Sequence, residues 1–202
     1  MSLWAIIPVK PLRRGKSRLS EILSEEERTQ LNQQLFLHTI QVLKQVDGIS
    51  DILVVSRDSD VLTEARELDV RTVTENGTPE LNNALRRASL FSKAFSTEGI
   101  LIVPADLPLL VPEDVNTFLH ARKEQPMIVI APDRRRKGTN MLLTNPADLL
   151  TFSFGQDSFQ KHTALARSEG AEVVIVENER IALDLDIPED YEILSLKDAL
   201  PV

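Results

Sequence analysis

Six stretches of strand length, Trp4–Val9, Ile52–Val55, Val70–Val73, Ile100–Val103, Met127–Ala131 and Val173–Val176, are rich in apolar and β-branched residues and lack strict alternation. A strand with one face in water alternates apolar and polar side chains, whereas a strand covered on both faces can be apolar throughout. The pattern therefore calls for a sheet with helices packed on each side. The intervening segments supply them. Ser24 followed by Glu27 forms a capping box that opens a helix carrying Leu31, Leu35, Ile40 and Leu43 toward Val46. Thr78-Pro79-Glu80 places a cap residue before a proline at the first helical position, with the helix running through Leu81, Leu85 and Ala88. Pro112-Glu113-Asp114 and Pro188-Glu189-Asp190 read as two further helix starts, with acidic residues suiting the first turn and its dipole. Such alternation predicts a three-layer α/β/α fold around a mostly parallel, mixed sheet.

The 202 residues contain no repeat, low-complexity tract or Pro/Gly/Ser-rich linker, so residues 1–202 are expected to form one domain. With 42% hydrophobic and 27% charged residues, the balance is that of a folded, soluble chain. No apolar run approaches a membrane span. The opening stretch Met1–Lys10 lacks the long apolar region and cleavage site of a secretory signal, and cytoplasmic residence is the expectation. The absence of cysteine excludes disulfides, thiolate metal sites and a cysteine nucleophile, so any metal must sit on oxygen or imidazole. A net charge of −8 argues against a general nucleic-acid binder, although cations bunched at Lys10–Arg18 and at Arg134–Lys137 suit a small anion. A homodimer is compatible with the sequence, which does not fix an oligomeric state.

In open α/β sheets, ligands bind where strands end, so the loops after strands carry the chemistry. The first strand runs into Lys10-Pro11-Leu12-Arg13-Arg14-Gly15-Lys16-Ser17-Arg18-Leu19, five cations in nine residues. These suit phosphate oxygens, and they equally suit a solvated loop. The glycine spacings of a P-loop and of a dinucleotide fingerprint are both missing. After the fourth strand, Asp106 lies between Pro104 and Pro108, rigidly presented as a magnesium ligand needs to be; a helix-capping role is the alternative. In Ala182-Leu183-Asp184-Leu185-Asp186, extended backbone would turn both aspartates to one side, where they repel unless a cation lies between them or solvent screens them. Lys137-Gly138-Thr139-Asn140 precedes another apolar strand, and Phe154-Gly155-Gln156-Asp157-Ser158-Phe159 precedes a helix leading to Glu169. Both can receive a phosphate or carboxylate, and both are explained by ordinary turn chemistry. His38, His120 and His162 fall within predicted helices at no metal-ligand spacing and are given no role.

Taken together, Ile7-Pro8-Val9-Lys10, Lys16-Ser17-Arg18-Leu19, Leu81-Asn82, Pro104-Ala105-Asp106-Leu107-Pro108, Gly138-Thr139-Asn140, Phe154-Gly155 with Ser158, and Leu183-Asp184-Leu185-Asp186 resemble the 2-phospho-L-lactate guanylyltransferase family of coenzyme F-420 biosynthesis, whose bacterial members use phosphoenolpyruvate. The resemblance spans nearly the whole chain. It implies the nucleotidyltransferase fold and GTP and a small phospho-carboxylic acid as partners. By the same resemblance, Asp106, Asp184 and Asp186 hold magnesium; Thr139, Gly155 and Ser158 contact the phospho-acid; Lys10, Lys16 and Arg18 meet the GTP phosphates; and the Asn76 to Asn82 loop meets the guanine. Related molybdenum-cofactor enzymes carry a glycine-rich loop after the first strand, whereas this chain has only Gly15 there. The implied reaction is attack of an acceptor phosphate oxygen on the α-phosphorus of GTP, with Asp106, Lys16 and Arg18 at the reacting centre. Two other readings stand beside it: a nucleotidyltransferase for phosphoglycerate, molybdopterin or a sugar phosphate, and a non-catalytic nucleotide-binding regulatory domain. Diphosphate release with a panel of acceptors separates them.

Overall fold

A computed structural model describes residues 2–77 and 79–197. Seven strands, β1 Leu3–Val9, β2 Asp51–Ser56, β3 Arg71–Thr74, β4 Gly99–Ile102, β5 Met127–Pro132, β6 Thr139–Asn145 and β7 Glu172–Ile175, form a single sheet in the order β3-β2-β1-β4-β6-β5-β7. Only β6 runs against its neighbours; the other pairings are parallel. The helices are α1 Glu25–Lys44, α2 Ser59–Glu67, α3 Leu81–Lys93, α4 Pro112–His120, α5 Ser158–Ser168, α6 Glu179–Ala182 and α7 Pro188–Leu196. None is long and apolar enough to cross a membrane among the described residues.

The alternation of side chains along β1 shows how the layers form. Leu3, Ala5, Ile7 and Val9 enter one core with Phe36 of α1, Val61 of α2 and Phe118 of α4. Trp4 and Ile6 enter the other with Leu85 and Ala88 of α3 and Phe159 and Ala166 of α5. Successive residues of a strand project to opposite faces, so an all-apolar strand builds two cores at once. The expectation of burial on both faces fails at β3 and β7. These are the edge strands, where one side of the ladder meets solvent.

The capping box at Ser24 and Glu27 forms, with Glu27 N–H donating to Ser24 Oγ at 3.2 Å and Ser24 N–H to Glu27 Oε2 at 2.7 Å. Pro112 and Pro188 open α4 and α7 as expected, each with an aspartate three residues beyond the cap accepting its N–H. The helix expected to open at Pro79 begins instead at Leu81 with Glu80 as its cap residue, and Thr78 lies outside the described residues. The reason is local: Glu80 N–H donates to Glu75 Oε1 at 3.0 Å, which holds Glu80 extended at φ −158°.

A third, smaller core ties the carboxyl-terminal segment to the rest. Leu183 and Leu185 are buried with Leu19, Leu31, Leu35 and Leu194. Upstream of them, Asp114 of α4 accepts Arg180 Nε at 2.7 Å and Asn178 Nδ2 at 2.7 Å. A buried carboxylate satisfied by several donors is a specific clamp, and here it locks α6 and the stretch after it against α4.

Candidate active site

Strand order reverses between β1 and β4: β2 and β3 lie to one side of β1, and β4 to the other. Parallel strands that diverge in this way leave a crevice at their carboxyl ends. A cleft of about 400 Å³ opens there, lined by Lys10, Arg14, Lys16, Arg57, Asp106 and Asp186 among others.

The loop after β1 folds into two short 3-10 turns, Leu12–Arg14 and Ser17–Leu19, pinned by the buried Leu12 and Leu19. Between them Gly15 presses on α1 so closely that an added Cβ would lie 2.4 Å from Asn32 Nδ2, an amide that itself donates to Leu12 O at 2.6 Å. A Cβ there would push the Asn32 amide off Leu12 O. Lys16 follows in the left-handed region at φ 53°, a conformation that costs a non-glycine residue on the order of 1 kcal/mol and that clusters at functional sites. Its side chain is 7% exposed, and Nζ lies 3.1 Å from Asp106 Oδ2. Arg18, 69% exposed, pairs with Asp186 Oδ2 at 2.5 Å. Lys10 and Arg14 line the cleft without a carboxylate partner among the described residues.

Asp106 and the pair near the carboxyl end converge. Leu185 N–H donates to Asp106 O at 3.0 Å, so the two segments run side by side. Because Leu183 and Leu185 turn into the third core, Asp184 and Asp186 turn the other way, as extended backbone requires. Burial, and then the neighbouring Asp106 charge, push the Asp184 carboxyl up to about 6. Asn140 partly offsets this by donating to Asp184 Oδ1 at 3.3 Å, and its amide is anchored by a second bond to Ile181 O at 2.8 Å. Asp190 accepts the Asp186 and Ile187 N–H groups, both at 3.0 Å, and is itself held by Arg134 at 2.5 Å. Among the described residues no three acid or imidazole side chains stand close enough to hold one ion jointly. Asp106 and Asp184 share a field, whereas Asp186 sits at the cleft rim against Arg18.

A pH dependence follows from Asp184. Its folded-state carboxyl titrates above the ordinary value of 3.8, so the folded chain holds more protons than the unfolded chain between about pH 4 and 6. Stability from this group is present below pH 4 and is lost as pH rises through 6. In chelating buffer, Asp184→Asn is therefore expected to raise the melting temperature at pH 7.5 by on the order of 5 °C and to change it little at pH 4.5. An equal shift at both pH values would remove the carboxyl charge as the cause.

The second half of the site hangs on β6 and the entry to α5. Thr139 is the first residue of β6, buried at 7% exposure, with Oγ1 3.1 Å from His162 Nδ1. Gly155 has φ +113°, which only glycine adopts readily, and open space surrounds the position a Cβ would take. Ser158 opens α5 and is buried, its N–H donating to Gly155 O at 3.1 Å. Asn82 clamps the same loop, accepting Phe154 N–H at 2.7 Å and donating to Phe154 O at 3.2 Å. Its amide thus positions the loop that leads to Gly155. Asn76 lines a separate cavity of about 230 Å³ with Glu75, Glu80, Asn83 and Arg87. Thr139 neighbours Asn140, the amide on Asp184, which joins the two halves of the site.

The structure absorbs the second cationic bunch elsewhere. Arg134, Arg135 and Arg136 pair with Asp190, Glu189 and Glu177, fastening that loop to the carboxyl-terminal segment. Conversely, His162, which stands at no metal-ligand spacing in the sequence, contacts both Thr139 and the Ser153 backbone at the entry to the Gly155 loop. Its spacing of four residues from Ser158, one turn along the same helical face, was the available signal.

Comparison with known proteins identifies the family and the fold. The family model described as "Guanylyl transferase CofC like" matches residues 3–198. The chain is 40% identical over 190 residues to the phosphoenolpyruvate guanylyltransferase of Rubrobacter xylanophilus, covering 94% of this chain and 92% of that one. It is 37% identical over 192 residues to the 2-phospho-L-lactate guanylyltransferase of Methanocaldococcus jannaschii, covering 94% and 81%. Among solved structures, a nucleotidyl transferase from Methanothermobacter thermautotrophicus aligns over 98% of this chain and 96% of its own, with a TM-score of 0.68 at 16% identity. The 4-diphosphocytidyl-2C-methyl-D-erythritol synthase of Anaerococcus prevotii covers 97% and 95%, with a TM-score of 0.65 at 13% identity. At such identities the structural likeness speaks for the fold alone.

Proposed function

Since the chain belongs to the CofC-like guanylyl transferase family, we propose that it transfers GMP from GTP to the phosphate of phosphoenolpyruvate or 2-phospho-L-lactate, releasing diphosphate. The observation that carries this reading is the meeting of a buried lysine from the loop after β1 with Asp106 after β4, beside Asp184, where strand order reverses.

In the reaction an acceptor phosphate oxygen forms a bond to the α-phosphorus of GTP. The bond from that phosphorus to the bridging β-phosphate oxygen breaks, and the electron pair leaves with diphosphate. The acceptor phosphate is already ionised near neutral pH, so no general base is needed. What opposes the step is repulsion between two anions and their positioning, and fixed charges and dipoles lower both barriers. Lys16 holds one donor on Asp106 and has two further N–H bonds for phosphate oxygens, while Lys10 lies in the same cleft. Arg18 can join them at small cost, because its exposed bridge to Asp186 is worth well under about 1 kcal/mol. On the acceptor side, the Thr139 and Ser158 hydroxyls and the backbone around Gly155 receive the phospho-acid. Asn76, in the neighbouring cavity with Arg87, would meet the base, and Asn82 sets the loop that leads to Gly155.

Magnesium fits the donor set. Asp106 and Asp184 are oxygen ligands, and their mutual repulsion is expressed in the raised Asp184 carboxyl. These two would hold the ion, with Asp186 beside them at the rim, and when bound it supplies neutralising charge at the phosphates. The enzyme would act in the cytoplasm, and its phosphoanhydride product would feed the next step in building the side chain of coenzyme F-420.

The test is diphosphate release with magnesium, using GTP, CTP or ATP against phosphoenolpyruvate, 2-phospho-L-lactate and phosphoglycerate. Release is expected with GTP and one of the first two acceptors. Silence with every pair, or preference for another nucleotide, would overturn the reading.

A further inference from the structure

Hydrogen-bond polarity around His162 bears on how the acceptor is held, a point that rests on the function proposed above. His162 is fully buried in α5. The Ser153 N–H lies 3.0 Å from its Nε2, and a backbone amide can only donate, so Nε2 is bare and the ring proton is on Nδ1. That Nδ1–H then donates to Thr139 Oγ1 at 3.1 Å. A hydroxyl that accepts there keeps its own proton for another acceptor. Among the described residues, His162 is the one hydrogen-bond partner of Thr139 Oγ1. An anionic oxygen is the natural acceptor for a buried hydroxyl committed in this way.

The same ring also ties the site's two walls together. Through Ser153 it holds the chain entering the Phe154–Ser158 loop, and it meets the Phe154 ring in a T-shaped contact at 4.7 Å between centroids, while Asn82 bonds the Phe154 backbone. We infer that His162 is a positioning residue for the phospho-acid: it fixes Thr139 as a donor to the acceptor's phosphate or carboxylate and holds Thr139 in register with Gly155 and Ser158. Burial keeps the ring neutral down to about pH 4, consistent with one tautomer throughout the working range.

Two variants separate the contacts. His162→Gln can place an amide oxygen near the former Nε2, retaining the Ser153 contact and losing the donor to Thr139. His162→Asn can place an amide nitrogen near the former Nδ1, retaining that donor. With phosphoenolpyruvate and 2-phospho-L-lactate as probes, His162→Gln is expected to raise KM for the acceptor about 10-fold while KM for GTP stays within about 2-fold, the size of one hydrogen bond to a charged group. His162→Asn is expected to recover most of that loss. In a Thr139→Val background, His162→Gln should add little, because the pair acts as a unit. The ring tautomer, read by nitrogen NMR of the wild-type protein without nucleotide, is expected to show the proton on Nδ1. A proton on Nε2, equal rises in both KM values, or full additivity with Thr139→Val would overturn the inference. If the wild-type protein releases no diphosphate, the proposed function fails instead, and the NMR result with calorimetric binding of phosphoenolpyruvate to wild type and His162→Gln still decides the role of His162.

Discussion

Asp106→Asn is expected to lower kcat/KM for magnesium-dependent diphosphate release by about 10³-fold while leaving a folded protein. The size is that of losing one preorganised charged group at a reacting centre. The fold should survive because Asn keeps an oxygen where Lys16 Nζ now donates at 3.1 Å, and because the Asp106 side chain is 31% exposed and partly hydrated. Its backbone carbonyl, which accepts Leu185 N–H, is untouched by the change. Removing this charge also removes one of the three influences that raise the Asp184 carboxyl, the others being burial and the Asp190 charge, so that group should titrate nearer its ordinary range. Magnesium should accordingly raise the melting temperature of the wild-type protein more than that of the variant, since an ion that binds only the folded state stabilises in proportion to its affinity. Diphosphate release and melting curves with and without magnesium check the set. Near-normal turnover in Asp106→Asn would take this side chain out of the chemistry.

Most of the frame was legible because its signals are local or periodic. A capping box needs four residues, and a buried strand declares itself by an unbroken apolar run, so α1 and the central strands fall where the sequence places them. The placement of Asp184 and Asp186 opposite two buried leucines was likewise written in a period of two. Long-range pairing is what local patterns do not carry. Nothing near Arg134 in sequence foretells Asp190 as its partner, 56 residues on, so a cationic bunch that suits an anion is instead a structural fastener. Asn82 shows the same limit, its amide engaged by the Phe154 backbone 72 residues away. His162 was passed over because a lone helical histidine has many structural uses, and only the direction of two hydrogen bonds gives this one a part in the site.

Lys16→Met tests the cationic side of the cleft, and its expected effect is a loss of about 10²-fold in kcat/KM carried chiefly by GTP. Lys16 is held by three independent constraints: the Gly15 contact with Asn32, its own left-handed backbone, and the bridge to Asp106. Such over-determination of a single ammonium is unusual for a solvated loop, where lysine ordinarily keeps its freedom. Methionine matches the length of the buried stem and adapts to its packing, and Asp106, left without its cation, is 31% exposed and partly hydrated, so the loss of stability should stay below the about 3–5 kcal/mol of a fully buried broken pair. The loss should fall on nucleotide binding and transfer, because the two N–H bonds not used by Asp106 are those available to phosphate oxygens. Lys16→Arg should recover little of the loss, as the longer, planar guanidinium cannot repeat the point contact of Nζ with Asp106 while keeping the same donors on the phosphates. Combined with Asp106→Asn, the two losses should fall well short of multiplying, since each variant already disrupts the same contact. Should Lys16→Met keep both KM for GTP and kcat within about 2-fold of wild type, the ion pair is a strut of the loop and the phosphates are held by Lys10 and Arg14 instead.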